Sequence, residues 1–180
     1  MKSEKKPPYL DKTISTEKIG NIDLHLERHI LTASKAYNYQ VFHIPHFSVI
    51  IPKIGDNFVV IRQYRPSWRS IVLEFPAGVA DKDEEPSLTA LRELQEETGY
   101  KAAKISKLCS FRHSSRTTQF CHVFLAENLS LSSPNHDEGE LIEEVLLLSP
   151  SQINEAITKG DFVDISHIAG WYHYFYSEKV

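Results

Sequence analysis

Cysteine is scarce in this chain of 180 residues, with only Cys109 and Cys121 present. Neither belongs to a CxxC pair or a Cys/His cluster of the kind that builds zinc sites, so both are expected to be reduced core thiols. Positive charge is in deficit as well. Twenty Lys and Arg against 24 Asp and Glu give a net charge of −4, which argues against the basic footprint of a generic nucleic-acid binder. No apolar run approaches the roughly 18 residues of a membrane span. The opening MKSEKKPPYL carries charge but lacks the apolar stretch of a secretion signal. Internal repeats are absent too. A cytoplasmic protein with neither a membrane nor a nucleic acid as partner is the expectation that remains.

Apolar residues make up 41% and charged residues 24%, the balance of a soluble globular domain that can bury a core without staples. The first 15 residues, Lys-rich with Pro7 and Pro8, read as a loosely held arm. Alternation of Ile22, Leu24 and Leu26 with Asp23, His25 and Glu27 predicts a half-buried strand. A second strand follows through Tyr37, Tyr39 and Val41. Residues 1–43 are therefore expected to form an N-terminal antiparallel β layer and residues 44–180 the main domain. Within the latter, strands are predicted at 47–51, 58–65, 71–75, 105–111, 120–125 and 142–148. Helices are predicted from Pro86 to the cap at Gly99, from the capping box Ser149-Pro150-Ser151-Gln152 to Gly160, and over 165–176. The fold class is mixed α/β, with one central helix flanked by strands and the antiparallel layer preceding them.

Acidic residues are unevenly distributed. Asp81, Asp83, Glu84, Glu85, Glu93, Glu96 and Glu97, with Asp137, Glu138, Glu140, Glu143 and Glu144, account for twelve of the 24 acids in two short stretches. On the predicted first helix Glu93, Glu96 and Glu97 stand at i, i+3 and i+4 and share one face, with Leu88 and Leu91 on the other. Like charges on adjacent turns repel, so a compensating cation is expected. Mg²⁺ suits the purpose, because it takes carboxylate oxygens and leaves positions for water and phosphate. Taken alone, the three glutamates would read as a solvated acidic face.

They form part of a longer pattern: Gly78, five residues, Glu84, seven residues, then Arg92-Glu93-Leu94-Gln95-Glu96-Glu97-Thr98-Gly99-Tyr100. Seven fixed letters at about 6% each would coincide on the order of once in 10⁸ starting positions, so chance is excluded. The stretch resembles the signature of Nudix hydrolases, departing from it only at Tyr100, where the family prefers an aliphatic residue. The resemblance implies an α/β/α Nudix fold and a Mg²⁺ cofactor, with Mn²⁺ as an alternative. It further implies metal ligation by Glu93, Glu97, Glu96 and the carbonyl of Ala77, with Glu96 and Glu97 counted in the catalytic set. Arg92 and Glu84 are expected to brace these ligands.

Arg62-Gln63-Tyr64-Arg65-Pro66 and Leu73-Glu74-Phe75-Pro76-Ala77-Gly78 resemble the strand pair that precedes the box in ADP-ribose pyrophosphatases and nucleoside diphosphate sugar hydrolases. Arg65, and after it Arg62, are thus expected to hold a diphosphate. Glu74 is expected to meet a sugar or base hydroxyl or to form a structural ion pair. Asp137 to Glu143 resembles a mobile acidic loop that supplies the base, with Glu140 aligned and Glu138 and Glu143 as alternatives. The resemblance also implies a homodimer in which Tyr39 or Phe42 stacks on the base, and Arg112 or Arg116 reaches a phosphate or sugar. The expected reaction is hydrolysis of a nucleotide sugar, ADP-ribose or a relative such as GDP-mannose. The alternatives are a nucleoside triphosphate or RNA-cap substrate, or a non-catalytic nucleotide-binding module. Serines at 114 and 115, where ADP-ribose pyrophosphatases carry proline, leave the sugar open.

Overall fold

The computed structural model describes residues 9–20, 22–32, 34–132 and 141–177. Two compact units emerge: Met1–Pro45 with Arg112–Gln119, and His46–Phe111 with Phe120–Val180.

In the first unit, β1 (Tyr9–Ile19), β2 (Ile22–Thr32) and β3 (Lys35–His43) form an antiparallel sheet in the order β1-β2-β3. The expected loose arm is corrected here, since from Tyr9 onward the chain is a strand paired with β2, its register broken by two irregularities between Leu10 and Ser15. Pairing to a neighbour thus overrides a polar local composition. Residues 112–119, expected within the main domain, belong to this unit. The Phe42 amide donates to the Arg116 carbonyl at 2.9 Å, and the Thr118 amide donates to the Phe42 carbonyl at 3.0 Å.

The second unit contains β4 (Phe47–Ile54), β5 (Asn57–Arg65), β6 (Ser70–Glu74), β7 (Ala77–Val79), α1 (Pro86–Thr98), β8 (Tyr100–Arg112), β9 (Phe120–Leu131), β10 (Ile142–Leu148), α2 (Pro150–Lys159) and α3 (Ile165–Ser177). Its sheet runs β10-β5-β4-β9-β8, with β6 on β5 and β7 on β4. The mixed character lies at β4, which pairs in parallel with β9 and antiparallel with β5 and β7.

Strand β4 is buried on both faces, with Val49, Ile50 and Ile51 all 0% exposed. Alternation sends Val49 and Ile51 to one core with Phe58, Phe75, Ile153, Phe162 and Trp171, and Ile50 to another with Ala90, Leu94 and Phe124. Helices α2 and α3 therefore cover one face of the sheet and α1 the other. Gly170 lets α3 approach closely, since a β-carbon there would meet Val123 Cγ1 at 3.0 Å. Among the described residues no helix is long and apolar enough to cross a membrane.

One departure from regular pairing positions the site. Strands β4 and β5 pair only at Lys53–Phe58 and Ile54–Asn57. At the other end of β4, β7 takes the pairing positions, setting Ala77 opposite Val49 and Gly78 opposite Ser48. The Ser48 hydroxyl donates to the Pro86 carbonyl at 2.8 Å and ties the start of α1 to the same strand.

Candidate active site

Helix α1 starts at Pro86, whose missing N–H costs nothing in the first turn. It ends at Gly99 with φ 73°, whose amide donates to the Gln95 carbonyl. Its buried stripe is Thr89, Ala90, Glu93, Leu94, Glu97 and Thr98, so the glutamates face the protein. Leu88, on the face opposite the glutamates, is 56% exposed, and Ala90 and Leu94 pack the core. Glu93 is 6% and Glu97 2% exposed, which no solvated acidic face would show.

Burying carboxylates requires partners. Arg92 supplies many of them. Its Nη1 lies 2.7 Å from Glu93 Oε1 and 2.9 Å from Glu96 Oε2, while Nε and Nη2 donate to the two oxygens of Glu84 at 3.1 and 3.0 Å. A fifth bond reaches the Val79 carbonyl at 3.1 Å. Glu84 also accepts from the Asp81 amide at 3.0 Å and the Thr89 hydroxyl at 2.9 Å. The Arg92 hydrogen bond foremost holds its carboxyl down at about 2. Glu97 Oε2 accepts from the Ala77 amide at 2.9 Å, joining the helix to β7. At Gly78 a β-carbon would lie 1.9 Å from Glu93 Cδ, so only glycine admits that carboxylate. Glu84, Glu93 and Glu96 thus gather round one guanidinium, while Glu97 is held by the Ala77 amide. The residual negative charge and the hard oxygen donors fit a divalent cation of the Mg²⁺ type.

A second cluster ends β5 and β6. Glu74, 0% exposed, accepts at Oε2 from Arg65 Nε at 2.9 Å and from Gln63 Nε2, and Arg65 Nη2 stands 2.7 Å away. Of the two roles expected for Glu74, the ion pair is the one formed, and full burial leaves no surface for a sugar. Its Oε1 has no hydrogen-bond partner. The carboxylates of Glu74 and Asp164 and a ring nitrogen of His167 come within 4.8 Å of one another. His167 Nδ1 accepts from the Phe75 amide at 3.1 Å, and burial pushes the ring's pKa down. With Nδ1 accepting, the neutral ring carries its proton on Nε2. Gln63, Asp164 and His167 were missed in the sequence, although Gln63 and Arg65, two apart on a strand, necessarily share a face.

Arg62 is not brought to Arg65. Three positions away on a strand, it faces the other side, with Nε 3.6 Å from Glu143 and Nη1 3.8 Å from Glu144. Glu138 and Glu140 lie outside the described residues. Tyr39 and Arg116 belong to the first unit and are exposed. The Tyr39 ring stands edge-on to His29 at 5.5 Å. Both cysteines are free thiols, and burial pushes Cys121 up to about 12.

A family model described as the NUDIX domain matches residues 44–167. The chain belongs to the NUDIX domain family. The Nudix match spans both the carboxylate cluster on α1 and the Arg65–Glu74 pair. Among curated relatives, an ADP-ribose pyrophosphatase of Bacillus subtilis is 36% identical over 140 residues, 74% of this chain and 76% of that protein. A methanol dehydrogenase activator of Bacillus methanolicus is 31% identical over 144 residues, covering 76% and 78%. A solved structure titled as an ADP compounds hydrolase superposes with a TM-score of 0.84 over 97% of this chain and 95% of its own, at 19% identity. That likeness establishes the Nudix fold, α/β/α with an added antiparallel sheet.

Proposed function

We propose that this Nudix hydrolase cleaves the diphosphate link of a nucleoside diphosphate sugar, ADP-ribose or a relative such as GDP-mannose, releasing a nucleoside monophosphate and a sugar phosphate. The observation that carries the reading is the burial of Glu93 and Glu97 close to β7, with three carboxylates, Glu84, Glu93 and Glu96, gathered on Arg92 and Glu97 held by the Ala77 amide. The Bacillus subtilis relative, an ADP-ribose pyrophosphatase, supports the substrate class.

Glu93, Glu96, Glu97 and the Ala77 carbonyl would hold Mg²⁺, with Mn²⁺ as an alternative. When bound, the ion neutralises the diphosphate and acidifies the attacking water. Arg92 and Glu84 keep the glutamate side chains from splaying apart. Arg65, fixed by a Glu74 that Gln63 also binds, offers the edge of its guanidinium to a phosphate oxygen. Glu140 takes a proton from the water as its oxygen bonds to one phosphorus and the bond from that phosphorus to the bridging oxygen breaks. Glu138 and Glu143 are the alternative bases. Arg62, turned to the other side of β5 and paired with Glu143 and Glu144, is not part of the grip on phosphate.

A homodimer is part of the proposal. Leu10, Ile14, Ile19, Tyr37 and Tyr39 are large, exposed and all on β1 or β3, as a surface covered by a second copy would be. A cytoplasmic location is part of the proposal as well, in keeping with the free thiols of Cys109 and Cys121. The test is turnover of ADP-ribose, ADP-glucose, GDP-mannose, UDP-glucose and nucleoside triphosphates with and without Mg²⁺, read as phosphate after phosphatase coupling. Nucleotide sugars are expected to turn over only with metal, and Glu97→Gln to abolish turnover without unfolding the chain. Activity confined to triphosphates, or an active Glu97→Gln enzyme, would overturn the reading.

A further inference from the structure

Strand β2 carries the sequence His25-Leu26-Glu27-Arg28-His29. The two-residue period of a strand puts His25, Glu27 and His29 on one face. Antiparallel pairing sets Asp23 opposite His43 on β3, so His43 joins that face diagonally from His25. Three imidazoles and a carboxylate thus meet on the first unit, and neither the carboxylate box nor the Arg65 cluster uses any of them.

Glu27 is only 6% exposed. Its Oε2 is bound by His29 Nε2 at 2.8 Å. Its Oε1 faces two rings, with His43 Nε2 at 3.1 Å and His25 Nδ1 at 3.8 Å. Those rings stack with centroids 3.9 Å apart and 29° between planes, so their nitrogens converge on a single oxygen. Such convergence is what an ion between the three atoms would use. Bonds of about 2.0–2.1 Å in tetrahedral geometry separate neighbouring ligand atoms by about 3.3 Å. The observed 3.1 and 3.8 Å bracket that separation, and all three atoms lie within 4.8 Å of one another.

We infer that His25 Nδ1, Glu27 Oε1 and His43 Nε2 form a binding site for a divalent ion of the zinc class, with His29 fixing the other oxygen of Glu27. Two imidazoles and one carboxylate suit Zn²⁺, whereas Mg²⁺ prefers an all-oxygen shell, which separates this site from the α1 carboxylates by chemistry. Side chains of His25 and His43 that are 22% and 36% exposed leave solvent access for the ion and its remaining water. The role of His29 matches the usual outer partner of a metal-ligating carboxylate.

The test is titration of the full chain, free of any purification tag, with Co²⁺ in saturating Mg²⁺, read by the visible absorption of low-symmetry cobalt and by displacement with Zn²⁺. One equivalent is expected to bind to the wild type and to Glu97→Gln alike. His25→Asn with His43→Gln should abolish the band, and His29→Ala should weaken binding by about tenfold. Far-UV circular dichroism checks that the sheet persists, and the single His43→Gln serves where the double variant unfolds. No band in the wild type, a band lost in Glu97→Gln, or a band that survives the loss of His43 would each overturn the site.

Discussion

A β-carbon at Gly78 would stand 1.9 Å from Cδ and from Oε1 of Glu93. The clash is with a buried carboxylate whose Oε1 is held by Arg92 at 2.7 Å, so the side chain cannot swing away without breaking that bond. Gly78→Ala is expected to displace Glu93 by an ångström or more and to lower kcat/KM by on the order of 100-fold. Overpacking adds about 1–3 kcal/mol of destabilisation. Steady-state kinetics with a melting curve checks both, and a rate near wild type would mean that the position of Glu93 is immaterial.

Arg65 and Glu74 allow structure to be separated from function. Removing Arg65 leaves Glu74 buried with Gln63 as its remaining hydrogen-bond donor. Breaking a fully buried pair costs about 3–5 kcal/mol. Arg65 is 37% exposed at its side chain, so a smaller loss is expected for Arg65→Met. Arg65→Met with Glu74→Gln should recover most of that stability, because no unpaired charge remains. Activity should stay low in both, with KM raised more than kcat is lowered if Arg65 grips the substrate phosphates. Recovery of activity in the double variant would reduce Arg65 to a scaffold role.

What the sequence disclosed was mostly local. Pro86 and Gly99 bound α1 by their own backbone preferences, and the capping box at Ser149 closes in the structure as its spacing predicts. The glutamate spacing identified a shared face, but not that this face is turned inward. That depends on β7 replacing β5 beside β4, a long-range event. The strand at Tyr9–Ile19 was illegible because its residues are polar and become a strand only through β2. Arg62 and Arg65 look equivalent in a motif, yet strand periodicity sends them to opposite faces. The partner of Arg65 comes from β6, nine residues further on.

Gly170 tests packing away from the chemistry. Alanine in mid-helix gains roughly 1 kcal/mol over glycine in propensity, which would favour Gly170→Ala on an exposed helix. Here the new methyl would meet Val123 Cγ1 at 3.0 Å and Cγ2 at 3.3 Å, and Val123 is 0% exposed within β9. A β-branched side chain in a strand has little freedom to turn away. Net destabilisation of about 1 kcal/mol is expected, and trimming Val123→Ala should offset the clash while adding a cavity cost of its own. Denaturant midpoints measure this. A more stable Gly170→Ala would show that α3 rides on β9 more loosely than the structure implies.

Arg92 controls how stability depends on pH and on metal. The Glu84 carboxyl, held chiefly by its hydrogen bond from Arg92, is lowered from 4.5 to about 2. A lowered acid contributes stability that is complete above its unfolded value and disappears as pH falls through the folded one. For Glu84 that window runs from about 4.5 down to about 2. Arg92→Ala returns Glu84 towards its ordinary range, so the variant should be less stable at neutral pH and lose less on acidification across this window. Its remaining carboxylates at 84, 93 and 96 then repel without their shared guanidinium. Mg²⁺, binding the folded state alone, should raise the melting temperature of Arg92→Ala more than that of the wild type. Melting curves from pH 7 to pH 3, with EDTA and with Mg²⁺, test both statements. Parallel pH profiles for the two proteins would show that Arg92 does not hold Glu84, and equal Mg²⁺ shifts would show that the ion does not answer the charge left by the guanidinium.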